Sequence, residues 1–166
     1  MHRPLSRAGI LAAVLGMAFT GGLLYPSPAQ ASTFEGQLQN HATGRCLDSN
    51  DRGDVYTLPC EKGNPHQKWY FDSNSDQHMD TPIGLRNAAT GRCLSGDLDD
   101  AGNPQLTTGE CWSAFRPAGP SWDDITLSGR FLELTGRSCI DGNHGGEAYF
   151  LHCNGTDHQR WRVVFG

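Results

Sequence analysis

Lysine is nearly absent from this chain: Lys62 and Lys68 are the only two in 166 residues. With the scattered arginines counted, 13 basic side chains face 18 acidic ones, for a formal charge of −5 at pH 7. A protein of that sign is repelled by phosphate backbones and anionic lipid surfaces, so a basic nucleic-acid footprint is excluded. No stretch after residue 32 holds a 3.6-residue apolar period over three turns, which argues against a helical bundle. Catalytic signatures are missing too: no Gly-x-Ser-x-Gly and no His-Glu-x-x-His occurs. The acids fall in turns, where Asp is ordinary. Asp48-Ser49-Asn50-Asp51-Arg52-Gly53 begins like a calcium loop, but Arg52 stands at a ligand position and Pro59 where the closing glutamate belongs. No cysteine spacing of the Cys-x-x-Cys or Cys-x-x-His kind suggests zinc. A non-enzymatic protein with no metal and no cofactor is expected.

The one long apolar run is N-terminal. Arg3 and Arg7 precede it, Ala8 to Leu24 forms it, and Ala29-Gln30-Ala31 offers a small-residue cleavage site. That order reads as a signal peptide over 1–31 rather than a membrane anchor, because Gly21, Gly22, Pro26 and Pro28 break its end and no basic stop-transfer cluster follows. The expectation is a secreted, extracellular, monomeric domain over 32–166, whose charge becomes −7 once Arg3 and Arg7 are removed.

Six cysteines fall in three pairs, Cys46 with Cys60, Cys93 with Cys111 and Cys139 with Cys153, recurring about every 46 residues. The surrounding text recurs as well. Thr43-Gly44-Arg45-Cys46-Leu47-Asp48 returns as Thr90-Gly91-Arg92-Cys93-Leu94-Ser95 and, with one inserted residue, as Thr135-Gly136-Arg137-Ser138-Cys139-Ile140-Asp141. Gln67-Lys68-Trp69 follows Cys60 and Gln159-Arg160-Trp161 follows Cys153, whereas the second copy has only Pro120-Ser121-Trp122. Self-similarity at this period means three copies of one unit packed about a shared axis, here about 34–80, 81–125 and 126–166. Export permits disulfides, and the repeat favours nearest-neighbour pairing, each bridge contributing roughly 3 kcal/mol in the chain-entropy model.

Short period-two stretches bounded by Gly, Asn, Asp and Pro make the domain all-β. Strands are expected over Gly36–Asn40, Arg45–Asp48, Val55–Pro59, Lys68–Phe71, Ile83–Asn87, Arg92–Leu94, Gln105–Thr108, Arg130–Leu134, Ser138–Ile140, Tyr149–His152 and Trp161–Phe165. About twelve strands of this kind avoid exposed edges by closing into a barrel. The expected core is Leu38, Leu47, Val55, Trp69, Leu85, Leu94, Leu132, Ile140, Trp161 and Val163. Gln67 and Gln159 are expected to satisfy buried backbone groups. Pro117 to Trp122, with Trp112 and Trp122, reads as a loop that repairs the wall where the triplet was lost.

The Cys-Leu-Asp-like string followed by a second cysteine in all three copies, with the Gln-x-Trp triplet in two of them, resembles the ricin B-type lectin domain across nearly all of 34–166. The resemblance implies a β-trefoil, six barrel strands capped by three hairpins, with one shallow sugar pocket per repeat. It places in each working pocket an Asp two residues after the first cysteine, an aromatic on the strand before the second, and a polar residue before the Gln. Carried over, this gives Asp48, Tyr56 or Leu58, His66 and Gln67 in the first repeat and Asp141, Tyr149 or Leu151, His158 and Gln159 in the third. A carboxylate accepts from vicinal hydroxyls, an aromatic face packs the C–H side of a sugar, and a polar group fixes orientation. Two features depart from the family pattern. Leu58 and Leu151 stand where the aromatic usually is, with the tyrosines two residues earlier, and His replaces the usual Asn. The second repeat, with Ser95, Thr107 and Gly109, is expected to have no pocket. The resemblance implies a neutral glycan or polysaccharide as partner. The alternative is a trefoil that binds a protein or inhibits a protease through the Ala114–Trp122 segment.

Overall fold

A computed structural model describes residues 34–72, 84–101, 104–111, 115–121, 124–129 and 138–165. The expected signal segment, Leu132, Trp112 and Trp122 lie outside the described residues. Within them the chain forms twelve strands: β1 Phe34–Asn40, β2 Arg45–Ser49, β3 Val55–Pro59, β4 Lys68–Asp72, β5 Gly84–Asn87, β6 Cys93–Leu98, β7 Pro104–Gly109, β8 Arg116–Ser121, β9 Asp124–Gly129, β10 Ser138–Gly142, β11 Ala148–His152 and β12 Trp161–Val164. Single 3-10 turns over Pro65–Gln67 and Asp157–Gln159 precede β4 and β12. The three disulfides join Cys46 to Cys60, Cys93 to Cys111 and Cys139 to Cys153.

Every ladder is antiparallel, and each repeat closes a hairpin after its first cysteine: β2 with β3, β6 with β7 and β10 with β11. β1 lies between β12 and β4, and β4 continues to β5. The sheet does not close. Its path runs from β11 through β10, β9, β12, β1, β4, β5 and β6 to β7, with β8 hanging on β9. Among the described residues no ladder joins β5 to β8, so the closed barrel expected from the sequence is interrupted at the second repeat, where no Gln-x-Trp triplet fixes the wall.

The third repeat's inner strand is displaced from its expected position. Registers align Gln39 with Cys46, Arg86 with Cys93 and Ser128 with Cys139, which makes Leu127 the counterpart of Leu38 and Leu85. The inner strand is therefore β9, ahead of the expected Arg130–Leu134, which lies outside the described residues. Pro117 to Trp122 is likewise not a free loop. Arg116–Ser121 pairs with β9, with an irregularity between Ala118 and Ser121, and Phe115 and Pro117 are buried. Prolines and glycine in that stretch hide a strand whose pairing, not its propensity, decides its state.

Leu38, Leu47, Trp69, Leu85, Leu94, Ile140, Trp161 and Val163 form one apolar cluster, with Val55 packed against it. Phe71, Leu106, Phe115, Ile125, Leu127 and Phe150 join them. Both indole N–H groups donate to a carbonyl two strands over, Trp69 to Leu47 at 3.0 Å and Trp161 to Ile140 at 3.0 Å, and both rings are fully buried, so neither presents its face to solvent.

The hairpins interlock. The Thr57 amide donates to the Gly146 carbonyl at 2.7 Å, and the Thr108 amide to the Gly53 carbonyl at 2.8 Å. Both glycines sit at positive φ, +97° and +99°, where a side chain is strained. The repeated Thr-Gly-Arg explains its arginine here: Arg45 Nη2 donates to the Thr57 carbonyl at 2.6 Å and Arg92 Nη2 to the Thr108 carbonyl at 2.7 Å. Each arginine thus clamps the strand onto which the preceding hairpin around the axis docks.

Candidate functional site

In the first repeat, β2 and β3 pair Asp48 directly opposite Tyr56, and in the third, β10 and β11 pair Asp141 opposite Tyr149. Directly opposed residues on an antiparallel ladder share a face, so each carboxylate and tyrosine stand side by side. Leu47 and Thr57, one residue along, take the other face and are buried. Leu58 lies on the Tyr56 face, is 39% exposed, and stands opposite Cys46 rather than the carboxylate; Leu151, 43% exposed, repeats this opposite Cys139. The tyrosines, not the leucines, therefore neighbour the acids.

Asp48 and Asp141 are buried, and among the described residues the Oδ2 atom of Asp48 has no hydrogen-bond partner. Burial pushes the Asp48 carboxyl above its ordinary value, while Gln67, Tyr56 and His66 pull in the other direction. Burial also raises the Tyr56 and Tyr149 phenols, with the adjoining Asp48 or Asp141 charge adding to the effect.

The histidines are fixed by the backbone. His66 Nδ1 lies 2.6 Å from the Ser49 carbonyl, and His158 Nδ1 lies 2.7 Å from the Gly142 carbonyl. A carbonyl only accepts, so Nδ1 carries the proton and the neutral ring leaves Nε2 as an acceptor. His158 also meets the His144 ring edge-on at 5.6 Å.

Gln67 and Gln159 do what a buried amide is expected to do. Gln67 Oε1 accepts from the Glu61 amide at 2.8 Å while its Nε2 donates to the Pro59 carbonyl at 3.1 Å; Gln159 repeats this with the Asn154 amide at 2.8 Å and the His152 carbonyl at 3.1 Å. They hold the loop after the second cysteine against its strand, beneath the imidazole.

Two functional residues escaped the sequence reading, although their signal was present. Asn40 and Asn87 stand three residues before Thr43 and Thr90 in the repeated string, and both are buried. Asn87 Nδ2 donates to the His66 carbonyl at 2.6 Å, and Asn40 Nδ2 to the His158 carbonyl at 2.7 Å. Their Oδ1 atoms accept from the following turn, Ala89 and Thr90 or Ala42 and Thr43. Each histidine is thereby tied to the repeat that follows it around the axis. The register puts Gly129 at the corresponding place in β9, so the second repeat receives no such tether.

In the second repeat the same ladder position pairs Ser95 with Thr107. It has neither carboxylate nor aromatic. Among the described residues no group of three His, Cys, Asp or Glu side chains gathers as a metal site, and no helix is long and apolar enough to cross a membrane.

Three interlocked hairpins on a twelve-stranded antiparallel sheet, each stapled by its own disulfide, define a β-trefoil. The ricin-type beta-trefoil lectin domain family matches residues 28–116, and the chain belongs to that family, which places it among carbohydrate-binding lectins. Solved structures share the fold at low identity. The Rhizoctonia solani agglutinin superposes with a TM-score of 0.63 at 16% identity, covering 84% of this chain and 100% of that one. A Macrolepiota procera ricin B-like lectin, solved in complex with lactose, gives 0.59 at 18%, covering 82% and 96%. The hemolytic lectin CEL-III gives 0.61 at 23%; 80% of this chain matches, over 30% of that longer protein.

Proposed function

We propose that this protein is a secreted lectin that binds neutral carbohydrate noncovalently through its first and third repeats, with no catalytic step. The observation that carries the reading is the opposition of Asp48 to Tyr56 and of Asp141 to Tyr149 beside an imidazole of fixed tautomer. In the first repeat the Asp48 carboxylate is the acceptor for a sugar hydroxyl, the phenol ring packs the C–H side, and His66 Nε2 accepts from a second hydroxyl. Asp141, Tyr149 and His158 take the same parts in the third.

A single such pocket is expected to hold a monosaccharide weakly, and two on one rigid body gain avidity on a polymer, where rebinding is intramolecular. The protein is expected to stay on an insoluble or branched glycan and to release monosaccharide readily. The test is a glycan-array and polysaccharide pull-down of wild type beside the Asp48→Ala, Asp141→Ala double variant under non-reducing conditions. Retention by wild type alone supports the assignment; equal retention by a folded double variant sinks it.

A further inference from the structure

We infer a second binding site, for a sugar unit that bears a carboxylate, in a groove on the outer wall of the first repeat. The inference rests on the reading of the protein as a glycan binder. A groove of about 210 Å3 lies between the start of β1, the end of β12, the start of β4 and the loop after Cys60. None of Asp48, Tyr56 or His66 lines it, but both lysines of the chain do. Glu35 lines it as well and pairs with Lys68, so two lysines against one acid leave the lining with one uncompensated positive charge, that of Lys62.

The groups there have complementary tasks. Lys68 Nζ pairs with Glu35 Oε1 at 2.9 Å, and the bond to Glu35 raises its pKa, so the ammonium stays charged. Lys62 is exposed and has no partner among the described residues, which leaves it available for an anion. Gln37 Nε2 is spent on the Glu61 carbonyl at 2.9 Å and Gln67 Oε1 at 3.1 Å, so its own Oε1 remains as an acceptor for a hydroxyl. Asn64 caps the His66 amide with its Oδ1 at 3.0 Å and reaches Glu61 only at 3.5 Å, leaving its amide donor nearly free. Val164, 37% exposed, gives an apolar ledge. An ammonium and an amide donor beside an apolar ledge and a hydroxyl acceptor fit a uronate ring better than a neutral one.

The third repeat supplies an internal control. The register makes Asp124 the counterpart of Glu35 and Arg160 the counterpart of Lys68. There Arg160 is taken by two acids, bound to Asp124 at 2.8 and 2.5 Å and to Asp157 at 2.7 Å. The loop after Cys153 reads Asn154-Gly155-Thr156, with no counterpart of Lys62. A free cation in this place belongs to the first repeat alone among the described residues.

The groove and the first pocket share the loop after Cys60. Gln67 anchors that loop through Glu61 and borders the pocket, while Gln37, bonded to the same Gln67, lines the groove. A decorated polysaccharide crossing the loop would present a neutral unit to the pocket and an acidic unit to the groove.

The test is calorimetric titration of the full, disulfide-intact protein with trigalacturonate and with the same trimer reduced to its alcohols, at low and high salt. Wild type is expected to favour the charged trimer by about threefold to fivefold at low salt, with the preference screened away at high salt. Lys62→Gln should abolish the preference and Val164→Glu should reverse it, both at exposed positions where folding is unaffected. Arg52→Gln, which removes the same charge from an exposed turn, should leave it intact. Equal binding of the two trimers, or a preference that survives Lys62→Gln, overturns the groove. The double aspartate variant separates the two readings: it should lose retention on neutral polymer yet keep the charged preference. If it keeps neutral retention while Lys62→Gln loses the preference, the pockets fail and the groove stands.

Discussion

The first and third repeats differ from the second by a handful of side chains, and the difference separates what this fold needs from what the proposed pockets need. All three keep the disulfide, the hairpin after the first cysteine and an inner-strand leucine: Leu38, Leu85 and Leu127. Only the first and third keep the Asp–Tyr pair and the imidazole, and only they receive an Asn tether from the next repeat. The second has lost Asp, Tyr, Gln-x-Trp and tether together, and there the barrel seam is open. Scaffold residues are thus shared by all three copies, while the pocket residues and the wall behind them are lost as a set.

The largest effect in this comparison should come from the wall. Trp69→Ala or Trp161→Ala removes a fully buried indole and its hydrogen bond, and each is expected to cost about 3–5 kcal/mol in urea unfolding. A cost under about 1 kcal/mol would mean that the open second repeat, not these indoles, sets stability.

Next come the tethers. Asn87→Ala should abolish sugar binding in the first pocket while leaving the third, and Asn40→Ala should do the reverse, each at about 1–3 kcal/mol of stability for the carbonyl and turn amides left unpaired. Chemical-shift changes at Tyr56 and Tyr149 on sugar addition would read the two pockets separately. Equal loss in both would show a global effect instead.

Transplanting the second repeat's residue sharpens the contrast between function and stability. Asp48→Ser should lose the first pocket's binding without loss of stability at neutral pH, because the variant no longer buries an unpaired carboxylate oxygen. The pH dependence follows. A carboxyl raised in the folded state binds its proton more readily there than in the unfolded chain. Its contribution thus favours folding at low pH and is lost as pH rises from the ordinary 3.8 through the raised value. Denaturation of wild type and Asp48→Ser at pH 4 and pH 7 should show the wild type losing relative stability as pH increases.

The smallest effect belongs to the outer wall. Arg160 holds the Asp124 carboxyl below its ordinary value, so this pair contributes above that value and its contribution is lost as pH falls, the opposite sense to Asp48. Exposure and screening limit it: Asp124→Asn should cost no more than about 1 kcal/mol in a thermal melt, less in high salt.

Much of this was legible in the chain. The Thr-Gly-Arg-Cys string and the cysteine spacing gave three hairpins and three bridges, and Leu38, Leu47, Leu85, Leu94 and Ile140 were placed in the core by period-two burial alone. Strand β8 was not legible, because Pro117, Gly119 and Pro120 carry turn propensity and only pairing with β9 overrides it. Nor was the shift of the third inner strand to Asp124–Gly129, which the insertion ahead of Cys139 disguises. At the site, the resemblance to the ricin B-type family named Asp48, His66 and Gln67 and their third-repeat partners, but could not say that tyrosine rather than Leu58 or Leu151 neighbours the acid.

The sequence by itself determined the repeat, the bridges and the identity of the polar groups, because these depend on local spacing along one strand or turn. Only the tertiary structure decided which groups are left with free valences. Asn87 reaching His66, Gly146 docking on Thr57, Arg160 consumed by Asp124 while Lys62 has no partner among the described residues: each depends on contacts between segments distant in the chain, and no single segment carries that information.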